Sequence, residues 1–262
     1  MRRTIRLLIA YDGSGYYGWQ RQRQGEPTIQ EALETRIEAL CRQPVTVHGA
    51  GRTDAGVHAL GMVAHFQTTA AVPMVAFTKG LNALLPKDIR ILGAEEAPPD
   101  FHSRFSALGK TYRYDFCTGP VQLPGNRLYQ AHYPGCFAAD RLEPALAALI
   151  GAHDFSSFER SGSRDKEAAG GYGAVRTLSR ASCLPVLGRA DHWSIRFTGN
   201  GFLRQMVRIL AGTLIEIGQG KRPAEEMAAI LAARNRAAAG HTAPACGLFL
   251  EQILYAPPIF CP

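Results

Sequence analysis

Several features that define other protein classes are missing from these 262 residues. No apolar run approaches the ~18 residues that a membrane-spanning helix needs, so we expect no membrane span and no targeting segment. The six cysteines include no C-x-x-C pair, which argues against a zinc knuckle or a disulfide framework and favours reduced thiols in the cytoplasm. The phosphate-loop pattern G-x-x-x-x-G-K-[ST] is also absent.

Lysine is scarce, and arginine takes its place. Only 5 of the 29 basic residues are lysine, the net charge is +7 and the isoelectric point is about 9.3. Arginine holds phosphate bidentately and stacks on bases, which makes nucleic acid a plausible partner. Arginine spread over a solvated surface explains the charge equally well. Hydrophobic residues make up 46%, enough to fill a core and to argue against disorder.

Hydrophobic periodicity predicts helices and strands mixed along the whole chain. The predicted strands are 4–11, 45–48, 62–66, 110–116, 175–182 and 192–198, and the predicted helices are 28–41, 140–150 and 202–217, with one more beginning at Pro223. Thr28 and Asp140 have the residue types of helix N-caps. We expect two mixed halves, 1–105 and 106–262, and a polar, glycine-rich surface loop over 161–173.

The segment Gly13–Gly18 matches G-x-G-x-x-G after a predicted strand, as in dinucleotide-binding proteins. No helix begins at once, because Trp19–Gly25 intervene before the capping box, so a dinucleotide site is not expected. The same region carries aromatic and basic side chains: Tyr16, Tyr17, Trp19, Arg21 and Arg23. Such a mixture stacks on unpaired bases and holds phosphate, although the aromatic rings could instead cover the core.

Asp54 stands alone among small residues in Gly51-Arg52-Thr53-Asp54-Ala55-Gly56-Val57-His58-Ala59. Small residues allow a bulky ligand to approach the backbone, and Arg52 and Thr53 add hydrogen-bond donors. The nearest acids in sequence are Glu38 and Asp88, so no local carboxylate pair or Asp-x-Asp metal site is expected. A catalytic aspartate and an aspartate that caps a tight turn both fit this segment.

The segment 51–59 resembles the signature of the tRNA pseudouridine synthase A family, in which the aspartate is catalytic. Other segments similar to that family follow in the same order: 11–13, 18–20, 101–106, 110–114, 153–158, 202–208 and 243–248. The resemblance covers about residues 5–250. Residues 161–173 and the pair Arg204-Gln205 depart from it.

The resemblance implies an α+β fold, with two similar halves whose antiparallel sheets join across a central RNA-binding cleft. It implies an isomerase that converts uridine to pseudouridine at positions 38, 39 and 40 of the tRNA anticodon stem-loop, without cofactor or metal. It also implies a cytoplasmic homodimer that binds tRNA. A catalytically silent tRNA-binding protein is the alternative, and a dinucleotide-dependent oxidoreductase is a more distant one.

By the same resemblance, Asp54 is the catalytic residue, acting as nucleophile or base. Arg208 corresponds to the family's basic residue near that aspartate, with Arg204, one turn earlier on the same predicted helix face, as the alternative. Tyr112 corresponds to the tyrosine that stacks on the uracil, while Tyr114 on the same strand is expected in the core.

Four arginines are expected to contact RNA. Arg52, beside Asp54, would bind substrate phosphate or occupy the space that a flipped base leaves. Arg21, Arg23 and Arg204 would bind the RNA backbone.

Overall fold

The chain divides into two compact units. The structure, a computed structural model, describes residues 2–22, 25–162 and 173–260. Unit 1 comprises Met1–Lys110 and Phe249–Pro262, and unit 2 comprises Thr111–Leu248. The predicted halves, 1–105 and 106–262, place the C-terminal segment in the second half, whereas in the structure it belongs to the first unit. Within the described residues, no helix has the length and apolarity needed to cross a bilayer.

Unit 1 is built on antiparallel strands with one parallel addition. Its elements are β1 (Arg3–Tyr11), α1 (Ile29–Cys41), β2 (His48–Gly49), β3 (His58–Thr68), α2 (Leu81–Leu84), β4 (Ile89–Ala97) and most of β10 (Leu248–Leu254). Strand β1 lies between β3 and β4 and is antiparallel to both. Strand β10 pairs in parallel with β3, through Phe249 opposite His58 and Leu250 opposite Ala59.

The first helix forms as its sequence predicts. Thr28 is the N-cap of α1, and its side chain accepts a hydrogen bond from the backbone N–H of Glu31. The apolar stripe of Ile29, Leu33 and Ile37 is fully buried. This helix therefore contributes its inner face to the core of unit 1.

Unit 2 contains mainly antiparallel strands and one long buried helix. Its elements are the greater part of β5 (Gly109–Cys117), then β6 (Ala131–His132), α3 (Glu143–Ala148), β7 (Gly151–Asp154), β8 (Val175–Pro185), β9 (His192–Gly199), α4 (Met206–Gly218) and α5 (Glu226–Ala233). Strand β8 pairs antiparallel with β7 and with β9. Helix α4 is buried along nearly its whole length. Mixed helices and mainly antiparallel strands confirm the α+β class.

Several predicted boundaries were wrong, among them the strand 45–48, which is His48–Gly49 in the structure, and the helix expected to begin at Pro223, which begins at Glu226. Strand β3 begins at His58 rather than Met62, so the connection that was predicted over 49–61 ends before His58. Asp140 does not cap a helix; it lies within a 3₁₀ turn, and α3 begins at Glu143 without a side-chain cap. Helix α4 begins at Met206 rather than Phe202, because Gln205 adopts a left-handed conformation with φ of 62°. Most of the predicted loop 161–173 lies outside the described residues.

Candidate active site

Asp54 lies on a tight turn between β2 and β3, with its side chain partly exposed. Its carbonyl accepts a hydrogen bond from the backbone N–H of Val57 at 3.2 Å. Gly56 closes the turn with φ of 74°, a region that favours glycine. Thr53 and Val57 on either side are 8% and 1% exposed. The carboxylate is therefore carried by a short segment that is anchored at both ends.

The glycines of the G-x-G-x-x-G segment pack directly beneath the Asp54 turn. A Cβ on Gly18, whose φ is 90°, would lie 2.5 Å from the carbonyl oxygen of Thr53, and a Cβ on Gly13 would overlap the carbonyl of Val57. Backbone hydrogen bonds join the two segments, including one from the N–H of Trp19 to the carbonyl of Thr53 at 3.1 Å. Gly13 and Gly18 thus allow two backbones to approach closely, a role the sequence pattern did not reveal.

Two of the aromatic side chains proposed for base stacking are instead part of the core. Tyr16 is 9% exposed and Trp19 is 2% exposed, while Tyr17 is 52% exposed. The Trp19 indole fills the space above Gly49, where an added Cβ would meet it at 2.6 Å. Burial and the nearby Asp88 carboxylate raise the pKa of Tyr16 to about 12. Tyr16 and Trp19 therefore support the Asp54 turn, and of the three rings only Tyr17 is accessible to a base.

Lys110 is a basic residue at this site that sequence reasoning did not select. Its ammonium donates a hydrogen bond to the carbonyl of Ala50 at 2.8 Å and lies 2.8 Å from where a Cβ on Gly51 would be. Burial and then the neighbouring Arg104 lower the pKa of Lys110 to about 8. The scarcity of lysine could have drawn attention to Lys110, because the chain has only five lysines.

The three arginines predicted for RNA contact in the first half differ in their surroundings. Arg52 is exposed beside Asp54. Arg21 lies 3.5 Å from Glu34 and 3.7 Å from Glu31, so it already faces two carboxylates of α1. Arg23 lies outside the described residues. Arg52 is therefore the arginine best placed near Asp54, and its role stays a prediction.

Tyr112 and Tyr114 occupy the same face of β5 in unit 2 but have different neighbours. Tyr112 is 8% exposed, and its ring meets that of Phe202 edge-on with centroids 5.0 Å apart. Tyr114 is fully buried, and its hydroxyl donates to the carbonyl of Pro244 at 2.9 Å. Burial raises the pKa of Tyr114 well above its ordinary value. The core position predicted for Tyr114 is confirmed, and the uracil-stacking role of Tyr112 stays a prediction.

Arg208 and Arg204 are held differently, because Arg204 precedes the helix. Arg208 lies in the first turn of α4, where its Nε donates to the carbonyl of Ala243 at 2.7 Å and its own carbonyl accepts from the N–H of Ala243 at 3.1 Å. Arg204 is exposed on the segment before α4, so it is not one turn earlier on the same helix face. The Nε bond orients the Arg208 guanidinium, and the backbone bond ties the segment around Ala243 to α4.

A chain of polar side chains holds the segment that binds Arg208. The Tyr133 hydroxyl lies 2.8 Å from Nε2 of His241, whose Nδ1 lies 2.7 Å from a Glu216 oxygen. The other Glu216 oxygen accepts from Arg222 Nε at 2.6 Å. Although burial opposes it, bonding to His241 and Arg222 lowers the pKa of Glu216. The carboxylate of Glu216 thus ties His241, two residues before Ala243, to helix α4.

The arrangement offers a small set of reactive groups. In unit 1, a carboxylate stands on a rigid turn beside an arginine, and in unit 2 a tyrosine ring and an anchored guanidinium lie on β5 and α4. A carboxylate can act as a nucleophile or as a base. Over the described ranges, no cluster of three or more histidine, cysteine, aspartate or glutamate side chains is arranged to hold a metal ion.

Comparison with known proteins identifies the family. The sequence model of the family described as tRNA pseudouridine synthase matches residues 7–106 and 145–256. The chain is 47% identical over 253 residues to tRNA pseudouridine synthase A 1 of Desulfotalea psychrophila, covering 97% of this chain and 100% of that protein. It is 42% identical to tRNA pseudouridine synthase A of Syntrophotalea carbinolica, with 97% of each chain covered. Matches of this extent show that the chain belongs to the tRNA pseudouridine synthase A family.

Proposed function

We propose that this protein isomerises uridine to pseudouridine at positions 38, 39 and 40 of the tRNA anticodon stem-loop. Family membership supports the isomerase activity and tRNA as substrate. The structural observation that supports an active site is the Asp54 turn, where one partly exposed carboxylate lies between the buried residues Thr53 and Val57. A silent tRNA-binding protein would have no use for this carboxylate.

The reaction conserves atoms and electrons. The bond between uracil N1 and ribose C1′ breaks, a bond from C5 to C1′ forms, C5 loses a proton and N1 gains one. Asp54 supplies the group that attacks the nucleotide or removes a proton from it. The target base is paired or stacked within the stem-loop, so it must leave the stack to reach the carboxylate. The rigid turn keeps the carboxylate in place while the base enters.

Three other residues complete the proposed site. Tyr112 stacks on the extruded uracil, and Arg208 pairs with the Asp54 carboxylate. The bond from Arg208 Nε to the carbonyl of Ala243 supports this role, because it orients the guanidinium before substrate arrives. Arg52, exposed beside Asp54, contacts phosphate or fills the space that the base vacates. Arg21, Arg23 and Arg204 add contacts to the RNA backbone.

Release of tritium from C5-labelled uridine in tRNA transcripts tests the proposal. We expect release by the wild-type protein and loss of release in Asp54→Asn, which is nearly isosteric, with tRNA binding kept. Asp100→Asn is the matched control, because Asp100 is an exposed carboxylate of the same unit. Wild-type binding without release would instead identify a silent tRNA-binding protein.

The positions modified are tested with transcripts that keep a single uridine at 38, 39 or 40. Each of the three should release label, while a transcript with uridine only elsewhere in the anticodon arm should not.

The proposal includes a cytoplasmic homodimer whose two copies contact one tRNA. Light scattering coupled to size exclusion measures that oligomeric state, and a monomer that binds tRNA with full affinity would contradict it.

A further inference from the structure

Five aromatic rings of unit 1 form a connected cluster beside β2. The cluster consists of His48, His65, Phe101, His102 and Phe105. Ring centroids are 5.1 Å apart for His48 and His65, 4.6 Å for His65 and His102, and 4.3 Å for His102 and Phe105. These separations are those of stacked and edge-on aromatic pairs. The cluster therefore forms a continuous path of rings from the core to the surface.

The inner end of the cluster is fixed by burial and hydrogen bonds. His65 is 5% exposed, and its Nδ1 accepts from the backbone N–H of Ser103 at 3.2 Å. The Ser103 hydroxyl donates to the carbonyl of His48 at 2.6 Å. Burial and the adjacent imidazoles lower the pKa of His65 to about 4. His65 is consequently neutral at physiological pH and packs as an ordinary aromatic ring.

The outer end of the cluster is a phenylalanine that faces solvent. Phe105 is 77% exposed. Its ring is nevertheless held against His102, and His102 Nδ1 accepts from the backbone N–H groups of Arg104 and Phe105 at 3.1 and 3.4 Å. The exposed ring is thus ordered before any partner arrives, so binding on it costs little conformational entropy.

Positive charge lies beside this exposed ring. The guanidinium carbon of Arg104 lies 5.8 Å from the Phe105 ring centre. Across the ranges that the structure describes, no carboxylate forms an ion pair with Arg104, and the side chain is exposed. Lys110 adds a second charge, close enough to Arg104 for its pKa to be lowered by it. A flat ring bordered by uncompensated positive charge suits a nucleobase attached to phosphate.

The cluster is joined directly to the Asp54 turn. His48 lies on β2, six residues before Asp54, and the Lys110 ammonium binds the carbonyl of Ala50. Asp54 follows Gly51 by three positions, which span at most about 10 Å of extended chain. Ring centroids are 4.3 Å apart for Phe105 and His102 and 5.7 Å apart for His102 and His48, so a nucleotide on Phe105 would lie within a few nucleotides of one at Asp54.

We propose that Phe105, supported by His102, is a stacking platform for an unpaired nucleobase other than the uridine that reacts at Asp54, with Arg104 and Lys110 contacting the adjoining phosphates. The platform rests on the proposed function in that it takes RNA as its ligand. It holds the loop of the substrate at a fixed distance from the reactive uridine.

Equilibrium binding of a tRNA transcript to variants of residue 105 tests the platform. Phe105→Ala should weaken binding about 10-fold, which is typical of a lost base–aromatic contact. Phe105→Leu, apolar but without a π face, should stay weak, whereas Phe105→Trp should bind tightly and lose its indole fluorescence when tRNA is added. Leu187→Ala is the matched control, since Leu187 is fully exposed and should change nothing.

The results separate this inference from the proposed function. Wild-type affinity in Phe105→Ala, full affinity in Phe105→Leu, or unquenched Trp fluorescence would each overturn the platform, even if the wild-type protein makes pseudouridine. Weakened binding by Phe105→Ala with no pseudouridine formed by the wild type would uphold the platform and refute the activity. A change in oligomeric state in Phe105→Ala would assign the ring to a protein contact instead and overturn the proposal.

Discussion

Replacing His65 with asparagine should make the protein less sensitive to acid. Burial and the neighbouring His102 and His48 lower the pKa of His65 from 6.5 to about 4. Below pH 6.5 the unfolded chain binds a proton at this residue that the folded chain does not bind, so the free energy of unfolding falls with pH. That stability is present above pH 6.5 and is fully lost below about pH 4.

The size of this effect follows from the two pKa values. The difference between 6.5 and about 4, at about 1.36 kcal/mol per pH unit, gives about 3.4 kcal/mol for the complete titration. Between pH 7.5 and 4.5 we expect about 2.5 kcal/mol of that loss. Asparagine does not titrate, and its side-chain oxygen can replace Nδ1 as acceptor for the Ser103 N–H.

Urea unfolding at pH 7.5, 6.5, 5.5 and 4.5 measures this difference. The variant is expected to be less stable than wild type at pH 7.5, because it leaves a small cavity, and the gap should close by about 2.5 kcal/mol at pH 4.5. Subtracting the pH profile of one protein from that of the other removes the contribution of the titrating groups that both share. Parallel pH profiles for the two proteins would refute the reasoning, since they would mean that His65 binds its proton equally well in the folded and the unfolded chain.

Two further predictions concern the supports of the site. Gly18→Ala should lower the free energy of unfolding by more than about 2 kcal/mol and reduce tritium release, because strain at φ of 90° adds to a 2.5 Å contact with Thr53. Gly25→Ala has φ of 73° with open space around the added carbon, so it should show the strain alone, and equal losses in the two variants would exclude the contact. Glu216→Gln should lower the free energy of unfolding by about 1–2 kcal/mol and lower kcat with tRNA affinity kept, because the segment around His241 loses its charged anchor. Thermal unfolding measures the first effect and tritium release the second. An unchanged kcat would show that this anchor does not support the site.

Local signals in the sequence predicted the elements of the fold well. The capping residue and apolar stripe of α1 set its start and its buried face, and both are found in the structure. Alternation along 110–116 placed Tyr112, Tyr114 and Phe116 on one face, and all three are buried. These elements succeed because their energetics depend on neighbours within one or two turns of chain.

Features that depend on distant partners were not predictable in the same way. Gly13 and Gly18 are required by the backbone of residues 53–57, some forty positions away, and nothing in their own segment indicates that contact. The start of α4 was misplaced because the left-handed Gln205 interrupts a sequence whose apolar pattern continues without a break. The candidate catalytic residues were predicted through the family resemblance, and Lys110 was missed because its environment is built by residues 50–51 and 104.

The return of β10 to unit 1 has a consequence for synthesis on the ribosome. Strand β3 obtains its parallel partner only from Phe249 and Leu250, which are translated after all 138 residues of Thr111–Leu248. At about 5–20 residues per second, the ribosome needs about 7 to 28 s for that stretch. During this interval the nascent chain presents one edge of β3 without its final neighbour, a template for pairing with other chains. Unit 2 can therefore finish folding first, and the N-terminal unit, although emerging earlier, matures last.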